Sequence, residues 1–342
     1  MVRAGARFFP LDRRLKLKKH VWSPQTIQQA LRLGVEIASY ERAAASYAAL
    51  TGVVIGASTL QRLVGEYGLA LVEQQAQEAQ AMVQVPKDEA EVVWRQVPEP
   101  DSEVMAVSSD GVLVHIRDEG WKEVKAVSIS AVTAEVNPET GEQEVVLSRH
   151  SYRAGLWDAP TFGTHHWAEA CRRGLEKAKT VVCVSDGAVW IWAIVFMCFA
   201  VRVEILDWWH AVTRLWDVAN HRLETGAAAA WVQAQKAALA HSHLRDVLHQ
   251  IRLLYPRTQP LPEVVRQAVG YFFHNRHRMD YAAYRQAGLP IGSGTIESAC
   301  KTVVQARMKQ AGMRWSRNGA QAMLALRCLL LSDRWHELPA PP

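Results

Sequence analysis

Asp110, Asp186 and Glu297 are the residues of this chain best suited by type and spacing to act together. Asp110 closes the run Glu103-Val-Met-Ala-Val-Ser-Ser-Asp110-Gly111, and Asp186 closes Thr180-Val-Val-Cys-Val-Ser-Asp186-Gly187. Glu297 opens an amphipathic helix after Pro290-Ile-Gly-Ser-Gly-Thr-Ile-Glu297. Two strand-end aspartates and a helical glutamate can converge on a pair of divalent cations, which activate a nucleophile and steady the leaving oxygen in phosphoryl transfer. Each acid also has a plainer reading. Asp-Gly is turn chemistry, and Asp110-Gly111 would make a hairpin turn. A first-turn glutamate suits the helix dipole, with Ser293 or Thr295 as cap. Gly292 and Gly294 favour the functional reading of Glu297, since they let metal or phosphate approach closely, and Lys301 follows one turn later on the same face.

A fourth acid competes with these. Ile205-Leu-Asp207-Trp-Trp-His210 ends another apolar run. If a helix starts at Asp207, Asp207 and His210 share a face. Asp207 is then an alternative to Asp110 as a ligand, and His210 can touch a scissile phosphate or orient a carboxylate. The plainer reading is a capping Asp beside a partly buried His.

The elements that must position these groups follow from periodicity and turn signals. Residues 1–85 read as helical, with Ser23-Pro24 as a start signal. A helix from Ser39 to Leu50, a Gly-containing turn and a second helix from Ser58 to Gly68 suggest a helix-turn-helix able to bind DNA, although any helical hairpin gives the same pattern. Residues 86–102, with Pro86, Pro98, Pro100 and several acids, read as a linker. Residues 103–338 form the second domain. Val104–Val107, Val112–Ile116, Val124–Val136 and Val145–Leu147 read as strand segments that build three antiparallel strands, separated by turn signals at Asp110-Gly111, Glu119-Gly120 and Asn137–Gly141. A helix over 164–179, a strand over 180–185, a helix over 188–199 and a strand over 201–206 follow. This α/β pattern describes a ribonuclease H-like mixed sheet with flanking helices. The helices over 211–223, 227–255, 262–275 and 281–287 read as an insertion, about 215–287, before the Glu297 helix.

Bulk composition sets the remaining bounds. The chain has 342 residues, 49% hydrophobic and 21% charged, which is globular and long enough for two domains. Lys+Arg outnumber Asp+Glu 39 to 34, and the excess clusters. Residues 2–19 hold Arg3, Arg7, Arg13, Arg14, Lys16, Lys18 and Lys19 against Asp12. From Ser298 to Leu331, Lys301, Arg307, Lys309, Arg314, Arg317 and Arg327 stand with no acid. Such clusters suit a phosphate backbone, or simply a solvated helix face. Trp315, between Arg314 and Arg317, can touch a base or sugar or pack on the surface; most of the thirteen Trp read as core. The five cysteines form no CxxC pair, which argues against a zinc finger, and with no secretory signal they point to a reducing cytoplasm. The apolar stretch 188–201 is too short to span a bilayer.

Val184-Ser-Asp186-Gly-Ala-Val-Trp-Ile-Trp192, Ile205-Leu-Asp-Trp-Trp-His-Ala211, Leu289-Pro-Ile-Gly-Ser-Gly-Thr-Ile-Glu-Ser-Ala-Cys-Lys301 and Gly312-Met-Arg-Trp-Ser316 resemble the transposases of Kra-type bacterial insertion sequences, within the Mutator-like DDE transposases. The resemblance runs from Phe8-Phe9-Pro10-Leu11-Asp12 to about Trp335. It implies a ribonuclease H-like core whose triad Asp110, Asp186 and Glu297 holds two Mg²⁺, with Mn²⁺ able to substitute, supported by Asp207 and His210. It also implies metal-dependent cleavage and strand transfer of DNA, with terminal inverted repeats and target DNA as partners. Lys301, Arg307, Lys309, Arg314, Trp315 and Arg317 are then the expected DNA contacts, in a homo-oligomer at the bacterial nucleoid with no membrane association. More sequence is expected ahead of the Phe-Pro-Leu-Asp motif than this chain has. The rival readings are a transposon-derived DNA-binding protein and a ribonuclease H-like nuclease that does not join strands.

Overall fold

The computed structural model describes residues 22–84, 96–139, 141, 143–256 and 258–339. The basic cluster Arg3 to Lys19, the Phe8–Asp12 motif and residues 86–95 of the expected linker lie outside them. The chain divides into two compact units. One joins the described residues up to Gln74 with Val114–Lys122 and those from Thr302 onward; the other holds Gln75–Leu113 and Glu123–Lys301. This partition and the expected linear division into 1–85, 86–102 and 103–338 cut the chain differently.

The first unit is helical apart from Val114–Lys122, which ends one strand and starts the next. Helix α1 (Pro24–Glu36) starts where Ser23 Oγ accepts from the Thr26 amide at 3.2 Å, with Pro24 in the first turn. Helix α2 (Tyr40–Thr51) ends at left-handed Gly52. Helix α3 (Ala57–Val83) runs well past Gly68, where the sequence suggested an end. Gly68 marks a crossing instead: a Cβ there would lie 2.6–2.8 Å from Ala322. The unit is closed by the C-terminal helix Arg317–Leu331, which is buried almost continuously from Ala320 to Leu330.

The second unit is built on a five-stranded mixed sheet flanked by helices. Its strands are β1 (Val104–Ile116), β2 (Gly120–Val136), β3 (Gln143–Gly155), β4 (Thr180–Ser185) and β5 (Val203–Leu206), in the order β3-β2-β1-β4-β5. β1 pairs with β4, and β4 with β5, in parallel; β2 pairs with β3 antiparallel. The expected break at Asp110-Gly111 is absent, and β1 is one continuous strand. Helices α4 (Ala159–Arg172) and α5 (Val189–Cys198) cover one face, where Phe162, Ile191 and Ile194 pack on Met105, Val107, Ile129 and Cys183. The helix α4 begins at Asp158, whose side chain accepts from Thr161, a start signal the sequence carries in Asp158-Ala-Pro160.

The other face is covered by the expected insertion: α6 (Trp208–Arg222), α7 (Thr225–Ala240), α8 (Leu244–Leu253), α9 (Glu263–Asn275) and α10 (Tyr281–Gln286). The single helix expected over 227–255 is two, divided at Ser242 with φ +63°. Leu215, Val232, Val247, Ile251 and Phe272 form one core with Val182, Val184 and Ile205 of the sheet. The insertion is therefore half of this unit's core. No helix among the described residues is long and apolar enough to cross a membrane.

Two neutral histidines are buried in α4. His165 stacks on Trp157 at 4.0 Å, and neither ring nitrogen of His166 meets a hydrogen-bond partner among the described residues. Burial holds both down to about 4. The unfolded chain takes up these protons near 6.5 and the folded one does not, so stability falls as pH drops from 6.5 toward 4, by up to roughly 3 kcal/mol for each histidine. Urea unfolding between pH 7 and pH 5 should show a falling midpoint, with more than half of that loss. A His166→Phe variant should lose part of this dependence; a flat midpoint in the parent would contradict it.

Candidate active site

Three aspartates lie at or just past the ends of the parallel pairing. The β1–β4 ladder ends where Val107 pairs with Cys183, and three residues further along each chain Asp110 and Asp186 are close enough for their charges to interact. Ser185 pairs with Leu206, so one residue on, Asp186 stands beside Asp207. β1 outlasts its ladder with β4, which ends at Val107, because β1 also borders β2. Asp110 thus lies beyond the β4 ladder yet inside a strand.

Each carboxylate is held differently. Asp110 Oδ1 accepts from the Gly111 amide at 2.6 Å, and Cys300 Sγ lies 3.7 Å from Oδ2. Burial raises the Asp110 carboxyl above its ordinary value, and the charge of Asp186 adds to the rise. Asp186 Oδ1 accepts from the Ala188 amide at 3.0 Å, which closes the turn into α5. Gly187 has φ +96°, and a Cβ there would lie 2.9 Å from the Tyr271 ring, so this turn needs glycine. Asp207 is fully buried and caps α6. Its Oδ2 accepts from the His210 amide at 2.8 Å and meets His210 Nδ1 at 2.7 Å, while Oδ1 accepts from the Ser293 amide at 2.6 Å. Despite its burial, these bonds, His210's first, hold the Asp207 carboxyl below its usual range. An ionised carboxylate only accepts, so Nδ1 of His210 carries the proton and Nε2 is left to the site. The Asp207 bond raises His210 above its ordinary value, with Asp186 and Glu297 contributing.

Glu297 lies in the first turn of α11 (Gly294–Ala299), which continues through a π-helical stretch, Cys300–Gln305. Such stretches recur at functional sites. Ser293 stands at the cap position without a side-chain cap bond, and its amide donates to Asp207 instead. Asp207, His210 and Glu297 offer ligand atoms within 4.8 Å of one another, a set able to hold a metal ion. Asp110 and Asp186 act electrostatically on the same cluster through His210. Among the described residues, Asp110 and Asp186 stand outside that ligand set and are linked to it by charge, so of the expected triad only Glu297 belongs to it.

Sequence reasoning missed the tyrosines that fix this end. Tyr271 Oη donates to the Asp186 carbonyl at 2.7 Å, Tyr281 Oη to the Leu206 carbonyl at 3.0 Å and Tyr284 Oη to the Glu204 carbonyl at 3.3 Å. Nothing in their spacing signals this role without knowing that the insertion packs on the sheet. Tyr271→Phe keeps the ring and removes one bond, so stability should drop by about 1 kcal/mol. Loosening of Asp186 should slow any reaction at the site by roughly tenfold. Steady-state rates of the two proteins check this, and equal rates would remove Tyr271 from the site.

The expected DNA contacts divide by burial. Lys301, Lys309, Arg314 and Arg317 are exposed. Lys309 lies over the Trp121 ring at 5.9 Å, and Arg317 pairs with Glu119 at 2.5 Å. Arg307 and Trp315 differ from the expectation. Arg307 is 1% exposed, lies over the rings of Tyr40 and Trp315, and donates to the Gly34 carbonyl. Trp315 is also buried, with Nε1 donating to the Met308 carbonyl at 3.2 Å. Arg327, from the same basic run, is buried and donates to the Val303 and Val35 carbonyls. These residues hold the helical unit together. All five cysteines are free, and burial raises the Cys171 and Cys183 thiols, which makes them poor nucleophiles. The chain matches no known family profile, and no curated protein is significantly similar to it.

Proposed function

We propose that this chain is a DDE transposase, which cleaves DNA and joins strands at the carboxylate site of a ribonuclease H-like core. The sheet order β3-β2-β1-β4-β5, with β1, β4 and β5 parallel, is compatible with that fold. One observation carries the functional reading: Asp186 and Asp207 directly follow the paired ends of two neighbouring parallel strands, Ser185 and Leu206, and Asp110 on the next strand shares one electrostatic cluster with Asp186, His210 and Glu297.

The residues fit Mg²⁺ or Mn²⁺. Both metals favour oxygen ligands. The charges of Asp110 and Asp186 oppose one another, a repulsion that a bound cation relieves. We assign Asp110, Asp186 and Glu297 as the ligands. Both oxygens of Asp207 already accept bonds from Ser293 and His210, so its part is to fix the imidazole. When bound, a pair of such ions lowers the pKa of an attacking hydroxyl and stabilises the leaving oxygen. His210 offers Nε2 to a phosphate oxygen, and its raised pKa favours the donating form. Tyr271 keeps Asp186 in place, and the exposed Lys301 offers charge to the DNA backbone.

Incubation with a labelled duplex carrying the element's own ends, followed by sizing of the products, tests the reaction class. Cleaved 3′ ends joined to a second duplex support transposition. Cleavage with no joined product would identify a nuclease instead.

A further inference from the structure

We infer that the helical unit contains a second site, which takes a phosphorylated nucleotide, free or at the end of a strand. A cavity of about 380 Å³ lies between α2, α3, the turn after β1 and the segment Met313–Gly319. That volume is within the range of small-ligand pockets. Its charged lining is Arg117, Arg307 and Arg314 against Glu41, three guanidiniums to one carboxylate. The buried Arg307 is fixed over the rings of Tyr40 at 4.7 Å and Trp315 at 5.3 Å. Arg117 and Arg314 are exposed, and neither guanidinium has an ion-pair partner among the described residues. Backbone bonds tie together the wall that carries them: the Arg117 amide donates to the Trp315 carbonyl at 2.8 Å, and the Trp315 amide to the His115 carbonyl at 3.3 Å.

Guanidiniums recognise phosphate through paired N–H donors. The cavity is roomier than a lone phosphate needs, and Tyr40, Trp315, Met313 and Val64 give it an aromatic and apolar wall suited to a base or sugar. A phosphate held by Arg117 and Arg314, with its nucleoside against that wall, matches both halves of the lining. The inference leans on the transposase reading only in naming DNA as the source of the nucleotide.

Titration calorimetry of the full chain tests it. The buffer is metal-free, so that the carboxylate site is not being read. The probes are a 5′-phosphorylated hexanucleotide, the same strand without phosphate, dAMP and inorganic phosphate. The phosphorylated strand is expected to bind at least roughly tenfold more tightly than the unphosphorylated one. A variant carrying Arg117→Gln and Arg314→Gln should weaken it by roughly tenfold to hundredfold with an unchanged melting midpoint, because both side chains are exposed. Equal affinity for dAMP would assign the pocket to free nucleotides, and preference for the strand to DNA ends. Unchanged binding by the double variant, or inorganic phosphate binding as tightly as the nucleotides, would overturn the proposal. A Glu297→Gln protein should bind like the parent, so failure of this site and failure of the carboxylate site are told apart.

Discussion

Purified Glu297→Gln protein is expected to bind DNA as the parent does and to cleave it on the order of 10³-fold more slowly. Glutamine keeps the shape of the side chain and removes a charge from the proposed ligand set of three carboxylates. Several kcal/mol of charge stabilisation in the transition state then disappears, and each 1.4 kcal/mol is about tenfold in rate. Binding should survive on this reading, because the proposed backbone contacts are cations, Lys301 among them, which the substitution leaves in place. Glu297 is half-buried near the start of its helix, and no protein donor among the described residues reaches its carboxylate. The substitution therefore orphans no buried partner, and the fold should stay intact. Asp186→Asn should behave alike. Gel-shift and cleavage assays on one preparation separate the two effects. Parent-like cleavage by Glu297→Gln would show that this glutamate is not a ligand.

The second large effect is expected at Asp207. This carboxylate accepts from the Ser293 amide, the His210 amide and the His210 ring. Asp207→Ala removes a helix cap and leaves the buried Ser293 amide without its acceptor, for roughly 2–4 kcal/mol in all. Asp207→Asn is the sharper test. If the asparagine oxygen stays with Ser293, its NH₂ faces His210, where Nδ1–H can no longer donate. The ring must then carry its proton on Nε2 and accept at Nδ1. Nε2–H can still meet a phosphate oxygen, but the ring loses the carboxylate that favours its charged form, so the loss should be about 10²-fold. Nitrogen NMR of the His210 ring reports the tautomer directly. An unchanged ring spectrum in the asparagine variant would contradict this role for Asp207.

Much of this site can be read from the chain, and the exceptions have physical causes. Asp186 follows a short apolar run that becomes β4 over Thr180–Ser185, the span its pattern predicts, because a strand buried on both faces needs an unbroken apolar run. Asp207 and His210 were legible as a cap and its neighbour, and the cap bond is present. Asp110 was read as ending a strand, because Asp-Gly so often turns the chain. Here the strand continues, since pairing with β2 outlasts pairing with β4, and only the register reveals that Asp110 has left its β4 ladder. Charge and composition place Arg307 and Trp315 on a DNA-facing surface, and the structure buries both. Two aromatic rings and the Gly34 carbonyl offset part of the cost of burying this guanidinium, and sequence does not separate a buried arginine of this kind from an exposed one. The tyrosine bonds to the strand-end carbonyls link residues up to 85 positions apart and carry no local signal.

The most direct test of the carboxylate site is the metal dependence of strand cleavage by the parent protein. A labelled duplex bearing the element's ends is incubated with Mg²⁺, with Mn²⁺, and with chelator alone. The account predicts new 3′ ends in both metals and none with chelator. Cleavage that persists in chelator, or intact DNA bound in the presence of either metal, would contradict it.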